Sequence, residues 1–104
     1  MKITTDKVAE VIILARDLPH RRAEFDGFVS NLTQGEQADL VAIMWIGRDS
    51  FDAADFDEAH NTALDEATTP TEDYLAGSPL LPDHLENGLD ALGVSARSEE
   101  NDLY

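Results

Sequence analysis

Seven consecutive apolar residues, Leu40-Val41-Ala42-Ile43-Met44-Trp45-Ile46, stand between Asp39 and Gly47 and include the only Trp of the chain. A segment apolar on every side has to be buried on nearly every side, so the rest of the chain must wrap around it. Taken alone, such a run fits a buried strand as well as a buried helix. The residues before it decide. Thr33-Gln34-Gly35-Glu36 is a capping box, in which the Thr hydroxyl accepts the Glu amide and the Glu carboxylate reaches back to the Thr amide. The pattern predicts a central helix over about 34–46. Gly47 is the expected stop, because glycine takes the left-handed conformation without steric cost.

The flanking sequence supplies amphipathic helices to cover it. Residues 5–18 place Val8, Val11, Ile12, Ala15 and Leu18 on one face, and Pro19 ends the run. Residues 21–32 give a weaker helix with Phe25, Phe28, Val29 and Leu32 as its stripe. Gly27 inside it costs about 1 kcal/mol relative to Ala, and marks either a close helix approach or a break. Residues 52–67, capped by Ser50 or Asp52, carry Phe56, Ala59, Ala63 and Ala67 on one face. Thr69 and Pro70 are the expected cap and first position of a short helix that ends at Gly77. Pro79 begins a tight turn, and a regular helix is expected from about Pro82 to Leu92, with Leu81, Leu85, Leu89 and Leu92 buried, Gly88 permitting close contact and Gly93 as its stop. No strand or hairpin signal appears. The fold class is therefore all-α: five or six short helices around the central one, in one domain over 1–94, with a flexible acidic tail over 95–104.

Charge divides the chain unequally. Residues 1–50 hold six Lys/Arg against eight Asp/Glu, whereas residues 51–104 hold one, Arg97, against fourteen. A net charge of −15 repels phosphates and anionic headgroups, which argues against direct binding to nucleic acid or a membrane. It suits a basic protein partner. The basic cluster His20-Arg21-Arg22 reads as ion-pair partners for the acidic half. The chain has no Cys, so thiolate chemistry is absent and a reducing, cytoplasmic setting is expected. The N-terminal residues lack the apolar run of a secretory leader.

No catalytic set stands out. His20, His60 and His84 are the only histidines, and none has tight His spacing of the zinc-site kind. Asp57 and His60, separated by three positions, fit half of a carboxylate-bridged metal site, for which His84 and nearby acids would have to supply the rest. The letters Asp57-Glu58-Ala59-His60 match a helicase box, but the phosphate loop that such a box serves is missing. The serines sit at caps or in the tail, outside any nucleophile elbow. The sequence therefore leans away from an enzyme and implies no cofactor. It favours a protein-interaction or scaffold module, with a homodimer through Ala59, Ala63 and Gly88 or a basic partner as its contacts. A small metal protein using His60 or His84, and an acidic mimic of nucleic acid, are the alternatives. The candidate binding residues lie at the exit of the central helix: Trp45, Arg48, Asp49 and, beside them, Tyr74. Arg48, the only Lys or Arg between positions 23 and 96, is expected to pair with a carboxylate.

Asp39-Leu40-Val41-Ala42-Ile43, Trp45-Ile46-Gly47-Arg48, Glu58-Ala59, Asp73-Tyr74-Leu75, Gly77, Pro79-Leu80-Leu81, Asp83, Leu85-Glu86, Gly88-Leu89 and Leu92-Gly93 together resemble the bacterial family known as domain of unknown function 3775. The resemblance covers about residues 37–93 and extends loosely to Val8, Ile12, Ala15 and Arg16. At Arg48-Asp49-Ser50 the chain departs from the family pattern, which more often places Gly between the Arg and the Asp. The resemblance implies a helical bacterial domain and brings no activity with it.

Overall fold

The computed structural model describes residues 1–93, so the expected tail over 95–104 lies outside the described residues. Six α-helices and no strand occur among them: α1 (Thr5–Arg16), α2 (Arg22–Ser30), α3 (Gln34–Gly47), α4 (Phe56–Asp65), α5 (Thr71–Ala76) and α6 (Leu81–Ala91), with one 3₁₀ turn over Ala53–Asp55. None is long and apolar enough to cross a membrane. The all-α class and the number of helices are as the sequence predicts.

The central helix α3 is wrapped as its composition requires. Every residue from Ala38 through Ile46 is buried. α6 and α4 form its most extensive contacts; α1 packs on α6, and α2 packs on α1 and α5. Both arms of the capping box are formed: the Thr33 hydroxyl accepts the Glu36 amide at 3.1 Å, and the Glu36 carboxylate accepts the Thr33 amide at 3.1 Å. Glu36 also meets Lys7 of α1 at 2.7 Å. The Lys7 ammonium and the Thr33 amide hold the Glu36 carboxyl below its usual range.

Gly47 corrects an expectation. It lies within α3, and the left-handed residue is Asp49, two positions later, at φ 64. The reason for glycine at 47 is space. A Cβ built there would sit 1.7 Å from the His84 carbonyl oxygen of α6. The relation is reciprocal, because a Cβ on Gly88 would sit 2.1 Å from the Ile43 carbonyl oxygen of α3. The two helices thus cross backbone against backbone, closer than any side chain permits. Gly88 behaves as expected; Gly93, at φ 81, is the left-handed stop after α6.

Other boundaries move for local reasons. The segment expected as a helix over 52–67 begins with a 3₁₀ turn, and its α-helical part runs only from Phe56 to Asp65. Pro70 occupies the cap of α5 rather than its first position, and Thr71 begins the helix. Leu81 begins α6, one residue before the expected Pro82, which falls in the first turn where its missing amide costs nothing. Gly27 neither breaks α2 nor meets a neighbour, and the space around its Cβ direction is open.

The small residues expected to receive a second copy are used inside the chain: Ala59, Ala63 and Gly88 are all buried. Ion pairs tie the two electrostatic halves together. Arg16 of α1 pairs with Glu86 of α6, and Arg22 of α2 bridges Asp26 at 2.6 Å and Asp73 of α5 at 2.7 Å. The Arg21-Arg22 pair of the basic cluster is therefore taken up by carboxylates, with Arg21 on Glu24 at 2.5 Å.

Candidate functional site

The exit of α3 builds one wall of a groove. After Gly47 the chain turns through Arg48 and left-handed Asp49, and the Ser50 amide returns to the Trp45 carbonyl at 2.8 Å. This tight turn lays Phe51 against the indole of Trp45, with ring centroids 5.6 Å apart and planes at 22°. From the other side, the Trp45 Nε1–H donates to the Tyr74 hydroxyl of α5 at 2.9 Å. Trp45 is thus fixed by a stack and a hydrogen bond, and it lines a cleft of about 230 Å³. The cleft is walled by Val41 of α3, Ala63 of α4, the connection Glu66 to Thr69, and Thr71 and Tyr74 of α5.

A second cleft of about 320 Å³ adjoins it, lined by Gln34, Gln37, Leu64, Pro70 and Glu72. The two share Val41, Ala63, Ala67, Thr69 and Thr71, so they form one continuous groove between α3, α4 and α5. Its buried lining residues Val41, Ala63 and Trp45 are apolar, Gln34, Gln37, Thr69 and Thr71 add polar surface, and Leu64 and Tyr74 are exposed along it. Among the described residues, Glu66 and Glu72 are the only charged side chains along it. A larger recess of about 480 Å³ lies between α1 and α2 over Leu14, Phe28 and Leu32. It carries Lys7, Glu10 and Glu24 and so presents both signs of charge.

The four candidate binding residues separate into two pairs. Trp45 and Tyr74 are brought together by their hydrogen bond and both line the groove. Arg48 and Asp49 lie on the exposed turn and do not line it. Arg48 also differs from expectation: its Nε–H donates to the Ser50 hydroxyl at 3.0 Å, and it forms no ion pair among the described residues.

The candidate metal residues do not converge. Asp57 is exposed on α4, and His84 lies on α6, where its carbonyl faces Gly47 and its buried Nδ1 has no hydrogen-bond partner. His60 turns its Nδ1 to Asp39 of α3 at 2.7 Å, and its ring leans on Phe56 with centroids 6.3 Å apart. Among the described residues no group of three or more His, Asp or Glu side chains could hold a metal ion.

Asp39 is the polar centre that sequence reading passed over. It is 1% exposed. One carboxylate oxygen meets His60, while the other accepts the backbone amides of Lys2 and Ile3 at 2.5 and 2.9 Å. A buried carboxylate is tolerated only with such partners. The signal was present: a single acid between Ala38 and Leu40, on a helix buried all round, has to be paired. Its partners, 21 to 37 positions away, were not readable.

A family model described as "Protein of unknown function (DUF3775)" matches residues 22–94. No curated protein and no solved structure matches the chain. The match takes in α2 through α6, more than half of the chain, and the chain belongs to that family.

Proposed function

We propose that this member of the DUF3775 family is a protein-interaction module that recruits a basic partner through its second half. One observation carries the reading. The segment that builds α4, α5 and α6 contains no Lys or Arg from position 49 to 93, and most of its carboxylates face water. Asp73 and Glu86 bridge to arginines of α2 and α1. Asp52, Asp55, Asp57, Glu58, Asp65, Glu66, Glu72, Asp83 and Asp90 form no ion pair among the described residues. Uncompensated acids of one sign create a field that accelerates encounter with a basic surface and discourages an acidic one. His60 is engaged by the buried carboxylate of Asp39.

The reading is tested by selection from a random peptide display library on the immobilised full chain. The enriched pool is expected to be rich in Lys and Arg, with binding that weakens steeply as salt rises. A pool without basic enrichment, or binding indifferent to salt, overturns the reading.

A further inference from the structure

Charge explains attraction but not where a partner settles. The α3–α4–α5 groove combines the two properties that a seat for a basic segment needs. Its buried lining of Val41, Ala63 and Trp45 can take an apolar side chain out of water. Its two clefts each carry one carboxylate, Glu66 in the first and Glu72 in the second, and among the described residues no cation lines either cleft. Tyr74 adds an exposed aromatic ring at the rim, a surface against which an ammonium or guanidinium is attracted. The recess between α1 and α2 lacks this selectivity, because Lys7 stands among its acids.

We propose that this groove seats a Lys/Arg-bearing segment of a partner protein, with one apolar side chain over Trp45 and Tyr74 and cations on either side of it at Glu66 and Glu72. This rests on the basic-partner reading and adds to it the site and the need for an anchor. A second copy of the chain is a poor occupant, because the acids of α4 and α5 would face acids of the same kind. The groove is already formed, since the Trp45–Tyr74 hydrogen bond and the Trp45–Phe51 stack fix its inner wall. Binding then has little ordering to do on the protein side.

The single Trp makes the test direct, because Trp45 lines the groove and reports on it. The probe is a synthetic Trp-free peptide, Lys-Arg-Lys-Phe-Lys-Arg-Lys, titrated at low salt of about 20 mM. Two controls accompany it: the same peptide with Ala for Phe, and an all-Glu counterpart. The peptide is expected to change Trp45 emission on binding. The Glu66→Lys/Glu72→Lys variant should weaken binding by about tenfold or more and remove the emission change. Asp83→Lys/Asp90→Lys, with the same change of net charge but outside the groove, should weaken it by less than about threefold. The Ala peptide should bind more weakly than the Phe peptide.

Equal losses in the two double variants, an unchanged Trp45 signal on binding, or equal affinity for the Phe and Ala peptides would overturn the groove as the seat while leaving the basic-partner reading intact. Failure of the basic peptide to bind at all at low salt, together with a selected pool lacking Lys and Arg, would remove both. Circular dichroism of each variant separates lost binding from lost folding, and a variant that fails to fold is replaced by Glu66→Gln/Glu72→Gln, which keeps side-chain size and removes the charge.

Discussion

The two sides of α3 are built on opposite principles. Toward α6 the helix has no room to spare: Gly47 and Gly88 bring backbone against backbone, and neither position accommodates even a methyl group. Toward α5 it packs only lightly, and a groove continuous across two clefts is left between α3, α4 and α5. The first side rigidly fixes the position of the helix. The second can then be open without the domain losing its shape, because the position of α3 is already determined by its crossing with α6. Openness in a small helical domain thus depends on closure elsewhere on the same helix.

The contrast is broken most severely on the closed side. Gly88→Ala is expected to cost more than about 3 kcal/mol, since the methyl group meets carbonyl oxygen and backbone, which have nowhere to move. Gly27→Ala, in a helix with open space at the same atom, is expected to stabilise by up to about 1 kcal/mol. Urea denaturation of the two variants against the parent checks both. A tolerated Gly88→Ala would mean that the crossing is looser than the geometry shows.

On the other side of α3, the polar tie is Asp39. Asp39→Ala is expected to lose about 3 kcal/mol, because it strands a histidine and two backbone amides at once. The loss should be accompanied by faster hydrogen exchange at the Lys2 and Ile3 amides. A variant that loses stability while those amides stay protected would place the effect elsewhere.

The smallest effect concerns the N-terminus of α3, where both sides begin. The Glu36 carboxyl is held below its usual range by Lys7 and Thr33. Its stabilisation is therefore full above the ordinary carboxylate range and is lost as pH falls through the lowered value. The difference in stability between the parent and Glu36→Gln should accordingly be largest near neutrality and shrink in acid. A difference that is constant with pH would remove the charge from the account.

What the sequence disclosed follows the range of the interactions. The capping box could be read because Thr33 and Glu36 are three positions apart and satisfy each other. The stripe Leu81, Leu85, Leu89 could be read because helical period alone puts those residues on one face. The role of Gly47 could not be read, because its neighbours are His84 and Gly88, which no local rule connects to it. The same limit hid the Asp39–His60 pair and the Arg16–Glu86 bridge. At the candidate site, Trp45 and Tyr74 were legible as aromatic residues of adjoining motifs. Glu66 and Glu72 were not, because in a chain so rich in acids no single carboxylate stands out until a groove selects it.

The glycine crossing also determines where this chain can change length. One residue inserted between Leu81 and Gly88 would turn everything after it by about 100° and swing Gly88 away from Ile43. Sliding α6 along α3 would not restore the fit, because both glycines must meet their carbonyl partners together. The connection from Glu66 to Pro70, exposed throughout, is under no such restriction. Insertions and deletions compatible with the fold should therefore fall in that loop, and any that do will remodel the lip of the groove while leaving the crossing untouched.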